Sequence, residues 1–223
     1  MNALVAISQV TDGNMYIPEE QDNADVVRTR SAWLTQQRIA LADTTRVYIT
    51  YDQGDFCRYR IVDESNKGEG MKAGDSETAD ALVTTTPNHA LFLPVADCVA
   101  TTLFDPEHGV LMLSHLGRHS LEQHGAEQSV AFLSERFKTR PEALKVWLSP
   151  APNKEVYPIY ALDNKGMKEA TLEQLENAGV LRENIIDAPE DTATDDRYFS
   201  HSEFLKGNKL ADGRFAMVAM MTE

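Results

Sequence analysis

The chain lacks the long hydrophobic runs and the cysteine-rich patterns that mark several large classes of protein. No stretch approaches ~20 consecutive apolar residues, so we expect no membrane-spanning helix. Residues 1–10 lack a basic segment followed by an apolar core, and we therefore expect no secretory signal. The two cysteines, Cys57 and Cys98, are too few for a disulfide framework, which is typical of a reducing, cytoplasmic setting.

Positive charge is also scarce, with 21 Lys and Arg against 35 Asp and Glu and a net charge of −14. A field of this sign repels phosphate backbones and anionic membrane surfaces, so we expect neither nucleic acid nor a membrane as a partner. A small anionic substrate is compatible with this charge, because a pocket needs only a few converging cations.

What is present is the composition of one globular domain. A chain of 223 residues with 42% apolar and 25% charged residues predicts a single domain over 1–223. The segment 63–78, rich in Gly, Lys, Glu, Ser and Asp, predicts a mobile loop within it. Helical and strand patterns are interleaved, and the strands are linked mostly by hairpin-like turns. This order predicts an α+β fold with mixed sheets and flanking helices.

The periodicities place the elements. Helices are predicted from the cap Asp22 or Asn23 to Leu41, from Ser120 to Lys138 with Gln123 completing a capping box, and over 171–178 with Gly179 as the C-cap. Strands are predicted over 46–51, 58–62, 81–85, 89–95, 99–104, 110–114, 146–148 and 214–220.

One predicted hairpin brings a thiol and an imidazole together. Its turn is the segment 105–109, and the two registers that the turn allows place Cys98 opposite either Leu116 or His115. In both registers Cys98 and His115 stand at the open end of one hairpin, with Cβ atoms about 4.5–8 Å apart. This spacing fits a shared metal ion or a thiolate–imidazolium pair. The alternative is a buried, inert cysteine beside a structural histidine.

The segment after this histidine has the character of an anion site. Residues 116–120 form a short loop that contains Gly117 and leads into a helix N-terminus at Ser120. Free backbone N–H groups and the helix dipole favour an anion there, and Arg118 adds a positive charge. The alternative is that Arg118 and His119 are solvated loop residues.

Four central blocks of the chain lie at 79–84, 96–99, 103–106 and 114–117 and read ADALVT, ADCV, LFDP and SHLG. They resemble blocks of the laccase-domain family, the YfiH-type proteins that are also labelled multicopper polyphenol oxidases. In the family they read ADALVT, ADC, a D-P turn and HAGWRG. Segments 25–30, 174–180, 198–201 and 213–215 also resemble family blocks, so the likeness covers nearly the whole chain. The four central blocks are Ala79-Asp80-Ala81-Leu82-Val83-Thr84, Ala96-Asp97-Cys98-Val99, Leu103-Phe104-Asp105-Pro106 and Ser114-His115-Leu116-Gly117.

The resemblance implies an α+β fold of YfiH type, a zinc site of two histidines and one cysteine, and purine nucleoside chemistry. By position, Cys98 matches the family cysteine and His115 matches one family histidine. Asp52 stands where the family has its other histidine, and a carboxylate oxygen binds Zn²⁺ at a similar distance. The alternatives are that Asp52 belongs to a surface turn, and that His119 or His201 completes the metal site.

The chain also departs from the family around the site. Arg118-His119-Ser120 replaces Trp-Arg-Gly, no cysteine follows Ser149-Pro150, and His201-Ser202-Glu203 replaces the family's arginines. Arg118 and the helix N-terminus at Ser120 are the expected phosphate-binding groups. Arg30 and Arg214 are expected as cationic walls of a phosphate or ribose pocket, with ordinary salt bridges as the alternative.

Together these features predict a metal-dependent, purine nucleoside phosphorylase-like enzyme that cleaves adenosine or inosine, with adenosine deamination as a further family activity. Cys98 and His115 are the predicted catalytic residues, and zinc, or alternatively copper, is the expected metal. The competing hypotheses are a non-catalytic binding protein, a hydrolase with Cys98 as nucleophile and His115 as base, and a copper polyphenol oxidase.

Overall fold

The fold is an α+β arrangement of two facing sheets with helices on both outer sides, as predicted. This computed structural model describes residues 1–16, 23–51, 53–72 and 76–222, and the bounds below are those within these ranges. The helices are α1 (Ala24–Gln36), α2 (Arg118–Glu122), α3 (Gly125–Phe137), α4 (Met167–Asn177) and α5 (His201–Leu205). The strands are β1 (Asn2–Ile7), β2 (Thr44–Arg46), β3 (Tyr59–Ile61), β4 (Ala81–Thr84), β5 (Ala90–Val95), β6 (Val99–Asp105), β7 (Val110–Leu116), β8 (Lys145–Leu148), β9 (Ile185–Asp187) and β10 (Phe215–Thr222).

Both sheets are mixed. The four-stranded sheet has the order β1-β10-β5-β2, and its β2–β5 pair is parallel. The six-stranded sheet has the order β3-β4-β7-β6-β8-β9, with parallel pairs at its two edges. The prediction of mostly hairpin links was wrong, because within the described residues only β6 and β7 are antiparallel neighbours joined by a short turn. The other pairs join strands that are distant in the chain or parallel.

The cores follow from the alternation of side chains along the strands. On β5, Leu91 and Leu93 point into the core between the two sheets, where they meet Phe104 and Leu113 of the other sheet. Phe92 points to the opposite face, and there it packs edge-on against Trp33 of α1 at a centroid distance of 6.2 Å. One face of β5 therefore packs in the core between the two sheets, and its other face packs against α1.

Helices α3 and α4 cover the outer face of the six-stranded sheet. Val130 and Leu133 of α3 and Leu175 of α4 are buried in one cluster with Leu103 and Met112 of the sheet. Gly179 follows α4 with a φ of 93°, in the left-handed region that favours glycine, as the sequence predicts. None of the helices in the described part of the chain is both long and apolar enough to cross a membrane.

The predicted helix from Ser120 to Lys138 is two helices. Gln123 and His124 separate α2 from α3, and His124 has a left-handed φ of 59°. The Gln123 side chain donates to the Gly54 carbonyl at 2.6 Å and accepts from the Phe56 N–H at 3.0 Å. It therefore holds the loop around residues 54–56 and does not complete a capping box with Ser120.

Other bounds differ from the predictions at their ends. Helix α4 begins at Met167, four residues before the predicted start, and the predicted strand over 46–51 is regular only up to Arg46. Strands β1 and β9 and helix α5 were not predicted. Strand β9 has three residues and α5 has five, whereas β1 is a largely apolar segment of six residues that the sequence analysis missed.

The segment predicted as a mobile loop is anchored at its described residues, 63–72 and 76–78. The Arg46 N–H donates to the Glu69 carbonyl at 3.0 Å, and the Gly68 N–H donates to the Thr44 carbonyl at 2.9 Å. Met71 is fully buried in the cluster that contains Trp33. Polar composition predicted a loop correctly, but these backbone bonds attach it to strand β2.

Candidate active site

The hairpin of β6 and β7 places the thiol of Cys98 beside the imidazole of His115. Asp105 pairs with Val110 and Ala100 pairs with His115. This register is shifted by one residue from the prediction that placed Cys98 opposite Leu116 and by two from the prediction that placed it opposite His115, and Cys98 lies just before β6. Gly117 makes the approach possible. A Cβ atom there would lie 2.9 Å from Cys98 Sγ and 3.3 Å from His115 Nε2, closer than real side chains allow.

Both groups are uncharged at neutral pH. Burial raises the pKa of the Cys98 thiol to about 12, and the Asp97 carboxylate adds to this, while Arg214 and Arg118 act in the opposite direction. Burial lowers the pKa of His115 to about 4, against a smaller opposing effect of Asp80. A thiol and a neutral imidazole are the opposite of the ionised pair that a cysteine nucleophile requires. They are, however, suited to metal binding, which would release the thiol proton.

A buried ion pair supports this end of the hairpin. The Asp80 carboxylate accepts from Arg58 Nε at 2.7 Å and from the Arg58 N–H at 3.0 Å, and its carbonyl accepts from the His115 N–H at 2.8 Å. Arg58 also donates to the Thr50 carbonyl at 3.1 Å. The pair therefore connects His115 with the segment around residue 50. Sequence reasoning gave Asp80 no role, although a charge beside the apolar run 81–84 is a signal for one.

Cys98 and His115 open into a cavity of about 900 Å³ at one end of the two facing sheets. The cavity lies where β2, β5 and β7 end and where β6 and β10 begin. Aromatic rings and arginines dominate its lining, namely Tyr16, Tyr48, Tyr51, Phe56 and Tyr157 with Arg46, Arg118 and Arg214. Rings and cations in one concave space suit a planar ligand that carries, or reacts with, an anion.

Two of the predicted substrate-binding arginines reach this cavity. Arg118 is exposed at its rim, with Nη2 3.1 Å from His119 Nε2. Arg214 packs over the ring of Tyr16, with its guanidinium carbon 5.2 Å from the ring centroid, and donates to Asp212 at 2.9 Å. Both charges lie near enough to Cys98 to lower its pKa.

Arg30 does not line the cavity, so the expectation of a cationic wall from this residue does not fit its position. It belongs to the buried face of α1, where it donates to the carbonyls of Met15, Gly70 and Met71 at 2.7–3.2 Å. Burial, and then the charge of Arg46, lowers the pKa of Arg30 to about 9, so it stays charged at neutral pH. Its guanidinium supplies hydrogen-bond donors to these buried carbonyls and so links α1 to the segments around Met15 and Gly70.

Ser120 borders the cavity, but it is not at a helix N-terminus. Helix α2 begins at Arg118 after the N-cap Gly117, which places Ser120 inside its single turn. The Ser120 hydroxyl lies 4.0 Å from the thiol of Cys57, which is partly buried. The helix therefore begins two residues before the predicted start at Ser120, whereas the anion site at this loop stays a prediction, with Arg118 as the group that offers charge.

The third metal ligand is not found among the described residues. Asp52 lies outside them, and no group of three or more His, Cys, Asp or Glu side chains with metal-binding geometry occurs in the described ranges. His119 stacks on Phe56 at a centroid distance of 4.8 Å, and His201 pairs with Asp212 at 3.0 Å. The described residues thus supply two donors, Cys98 and His115, whereas catalytic zinc sites have three protein ligands.

Asp97, the residue before Cys98, connects the site to the C-terminal segment. Its buried carboxylate accepts from the Ser200 hydroxyl at 2.6 Å and from the Ser202 N–H at 2.8 Å. This contact spans about a hundred residues of chain, so no local pattern could reveal it. The signal in the sequence was only a charged residue at the end of the apolar run 90–96.

The fold and the cavity define a class of α+β protein in which two facing sheets enclose a cavity at one end. The chain belongs to the family described as multi-copper polyphenol oxidoreductase laccase, whose model matches residues 8–162, more than half of the chain. The name of that family associates it with copper.

Solved structures share the fold over nearly the full chain. The hypothetical protein YfiH of Bacillus licheniformis is 18% identical with a TM-score of 0.86, over 99% of this chain and 93% of that one. YlmD of Geobacillus stearothermophilus is 22% identical with a TM-score of 0.85, over 99% and 92%. A protein of Neisseria meningitidis is 15% identical with a TM-score of 0.76, over 100% and 95%. No curated protein matches the chain significantly.

Proposed function

We propose that this protein cleaves purine nucleosides by phosphorolysis in the cavity of Cys98 and His115. The observation that carries the proposal is the convergence of aromatic rings, two accessible arginines and a buried thiol–imidazole pair on one space of about 900 Å³. Such a volume exceeds what one small anion needs and is ample for a nucleoside together with phosphate. The family resemblance in the ADALVT, ADC and HAGWRG blocks supports the same chemistry.

Arg118 and Arg214 would bind the phosphate. They are the cations whose charge acts on Cys98, so a phosphate held between them lies close to the thiol–imidazole pair. Charge-assisted hydrogen bonds from a guanidinium are strong and directional, and they counter the unfavourable field of a chain with a net charge of −14. The base would stack among the rings around Phe56 and His119.

His115 would contribute as a neutral imidazole. Because burial holds its pKa near 4, the ring keeps one N–H donor and one lone pair at neutral pH. It can accept a hydrogen bond from a ribose hydroxyl and orient the sugar for attack by phosphate.

Zinc binding is a separate proposal, with Cys98, His115 and Asp52 as its protein ligands. A bound zinc ion would supply Lewis acidity to an oxygen or nitrogen of the substrate. Metal analysis of the purified protein tests this proposal. We expect one zinc per chain in the wild type and loss of the metal in Cys98→Ser, whereas Cys57→Ser keeps it. Zinc far below one per chain after purification without chelator contradicts it.

The activity test incubates the purified protein with inosine or adenosine, with and without phosphate, and measures the free base. We expect base release that requires phosphate and produces ribose 1-phosphate, with loss of activity in His115→Asn. Base release without phosphate indicates a hydrolase, and ammonia from adenosine indicates deamination. No product from either nucleoside, with zinc supplied, contradicts the proposal and favours a binding protein. We also propose a small-molecule partner and a cytoplasmic location.

A further inference from the structure

The lining of the cavity includes a histidine, His201, that the proposed roles leave unused. His201 Nδ1 lies 3.0 Å from Asp212 Oδ1, and Arg214 Nη1 donates to the same oxygen at 2.9 Å. His201 and Arg214 both line the cavity that holds Cys98. The three side chains thus form one charged cluster in which an imidazole and a guanidinium share a carboxylate.

The position of His201 is fixed relative to Cys98 by a single side chain. Asp97 accepts hydrogen bonds from Ser200 Oγ and from the Ser202 N–H, the two neighbours of His201 in the chain. Because Asp97 directly precedes Cys98, its carboxylate attaches the Ser200 side chain and the Ser202 backbone, one on each side of His201, to the loop of the cysteine. His201 is therefore held in two ways, because its two chain neighbours bond to Asp97 and its own ring pairs with Asp212.

The pairing with Asp212 determines the tautomer of the ring. Burial alone would raise the pKa of Asp212, but hydrogen bonds and charge from His201 and Arg214 bring it below its ordinary value. An ionised carboxylate can only accept, so Nδ1–H of His201 is the donor. Nε2 makes no hydrogen bond within the described residues, which leaves it as the atom that faces a ligand.

We propose that His201, oriented by Asp212, is the general acid that protonates the departing purine, an inference that rests on the proposed phosphorolysis. A carboxylate that holds Nδ1–H stabilises the imidazolium and directs its Nε2–H, as in other histidine-based acid–base sites. The nearby Arg214 would hold the phosphate on the same side of the cavity.

The proposed step balances in protons and electrons. An oxygen of HPO₄²⁻ attacks the anomeric carbon of ribose while the bond from that carbon to the purine N9 breaks, and the electron pair goes to the purine. The Nε2–H proton of the His201 imidazolium passes to N7 of the base, which leaves neutral. The proton carried by the new phosphate ester then returns to His201, so the products are the base and ribose 1-phosphate.

The test uses leaving groups that differ in their need for a proton. Inosine requires protonation, whereas 7-methylinosine already carries a positive charge on its base and departs neutral without a proton. The variants are His201→Asn and, as a second probe of the same pair, Asp212→Asn. The matched control is His124→Asn, since His124 is an exposed histidine paired with Glu127 at 3.5 Å and does not line the cavity. Its left-handed backbone also suits asparagine.

We expect His201→Asn to lower kcat for inosine by about 10²–10³-fold with KM within about threefold, and to lower kcat for 7-methylinosine by less than about tenfold. Asp212→Asn follows the same order with a smaller loss, and His124→Asn equals the wild type. Equal losses on both nucleosides, or an unchanged kcat for inosine in His201→Asn, overturn the assignment while phosphorolysis stands. Wild-type protein inactive on both nucleosides overturns the proposed function and this assignment with it.

Discussion

Two regions of this molecule each contain an arginine and a histidine, and they use them differently. Arg30 on the inner face of α1 and His89 beside β2 are fully buried. At the cavity, Arg214 and His201 are partly exposed and share the carboxylate of Asp212. The regions meet at Met15, whose carbonyl accepts from Arg30 and whose N–H donates to the Arg214 carbonyl at 2.9 Å.

The difference lies in the partners. Three backbone carbonyls take up the donors of Arg30, and His89 Nε2 lies 2.7 Å from the Thr45 hydroxyl. At the cavity, Arg214 and His201 share the carboxylate of Asp212 and also border the open cavity. The same two residue types thus form internal hydrogen bonds that stabilise the fold in one region, and are accessible to a ligand in the other. Residue type alone does not distinguish these roles, whereas burial and partner type do.

The largest effect is expected from Arg30→Met. The variant keeps the volume approximately but leaves the carbonyls of Met15, Gly70 and Met71 buried without donors, at a cost of about 3–5 kcal/mol in the free energy of unfolding. Urea denaturation measures it. Arg214→Met is the comparison, and we expect it to lower the free energy of unfolding by less than about 1 kcal/mol. Equal losses of stability in the two variants would contradict the distinction between a structural Arg30 and a cavity-lining Arg214.

The next effect concerns the cavity. Arg214→Gln removes a charge-assisted contact to phosphate, worth about 1.5–3 kcal/mol, and we expect KM for phosphate to rise about 10–100-fold. Initial rates at varied phosphate measure this. The control is Arg182→Gln, because Arg182 lies outside the cavity and pairs with Glu176 at 3.6 Å. A phosphate KM that is the same in both variants would show that Arg214 does not bind phosphate.

A smaller structural effect tests the packing of the cavity floor. Gly117→Ala places a Cβ atom 2.9 Å from both Cys98 Sγ and His115 Cε1, which forces the thiol and the ring apart. We expect a loss of about 1–3 kcal/mol in stability, together with reduced activity. Gly54→Ala serves as the reference, since its Cβ would meet no atom within 4 Å. Wild-type stability and activity in Gly117→Ala would mean that the approach at this point is looser than described.

The smallest effect is a pH dependence of the interior. Burial, followed by the charge of Lys67, lowers the pKa of His89, whose Nδ1 has no hydrogen-bond partner among the described residues. The unfolded chain therefore binds a proton more readily, so this contribution to stability is complete above pH ~6.5 and is lost as the pH falls below it.

The measurement is the urea midpoint between pH 7.5 and 5, converted to a free energy of unfolding. We expect His89→Gln to remove a slope of at most about 1.4 kcal/mol per pH unit from the acidic side of the profile. The neutral side should stay parallel to that of the wild type. Identical slopes in the two proteins would rule out His89 as a source of the dependence.

Local patterns were sufficient for much of the fold. The segment 89–95 was correctly predicted as a strand, and the turn at 105–109 predicted the hairpin that brings Cys98 near His115. Local patterns failed where a side chain bonds to a distant segment. Gln123 fits a capping box by spacing, yet it bonds to Gly54 and Phe56, so the predicted long helix divides into two.

For the candidate site too, local patterns predicted some residues and missed those whose partners are distant in the chain. Motif order predicted Cys98, His115 and Arg118, whereas the pairing of His201 with Asp212, the anchoring of Ser200 and Ser202 by Asp97, and the burial of Arg30 were beyond reach.

The sequence by itself determined the α+β class, the family and the hairpin at the centre of the site, because these depend on periodicity and on residues close together in the chain. Tertiary structure alone decided that Arg214 and not Arg30 faces the cavity, and that His201 has Asp212 as its carboxylate partner. The physical reason is that burial and hydrogen-bond partners arise from the packing of segments that are far apart in the chain, and the same side chain has a different energy in each environment.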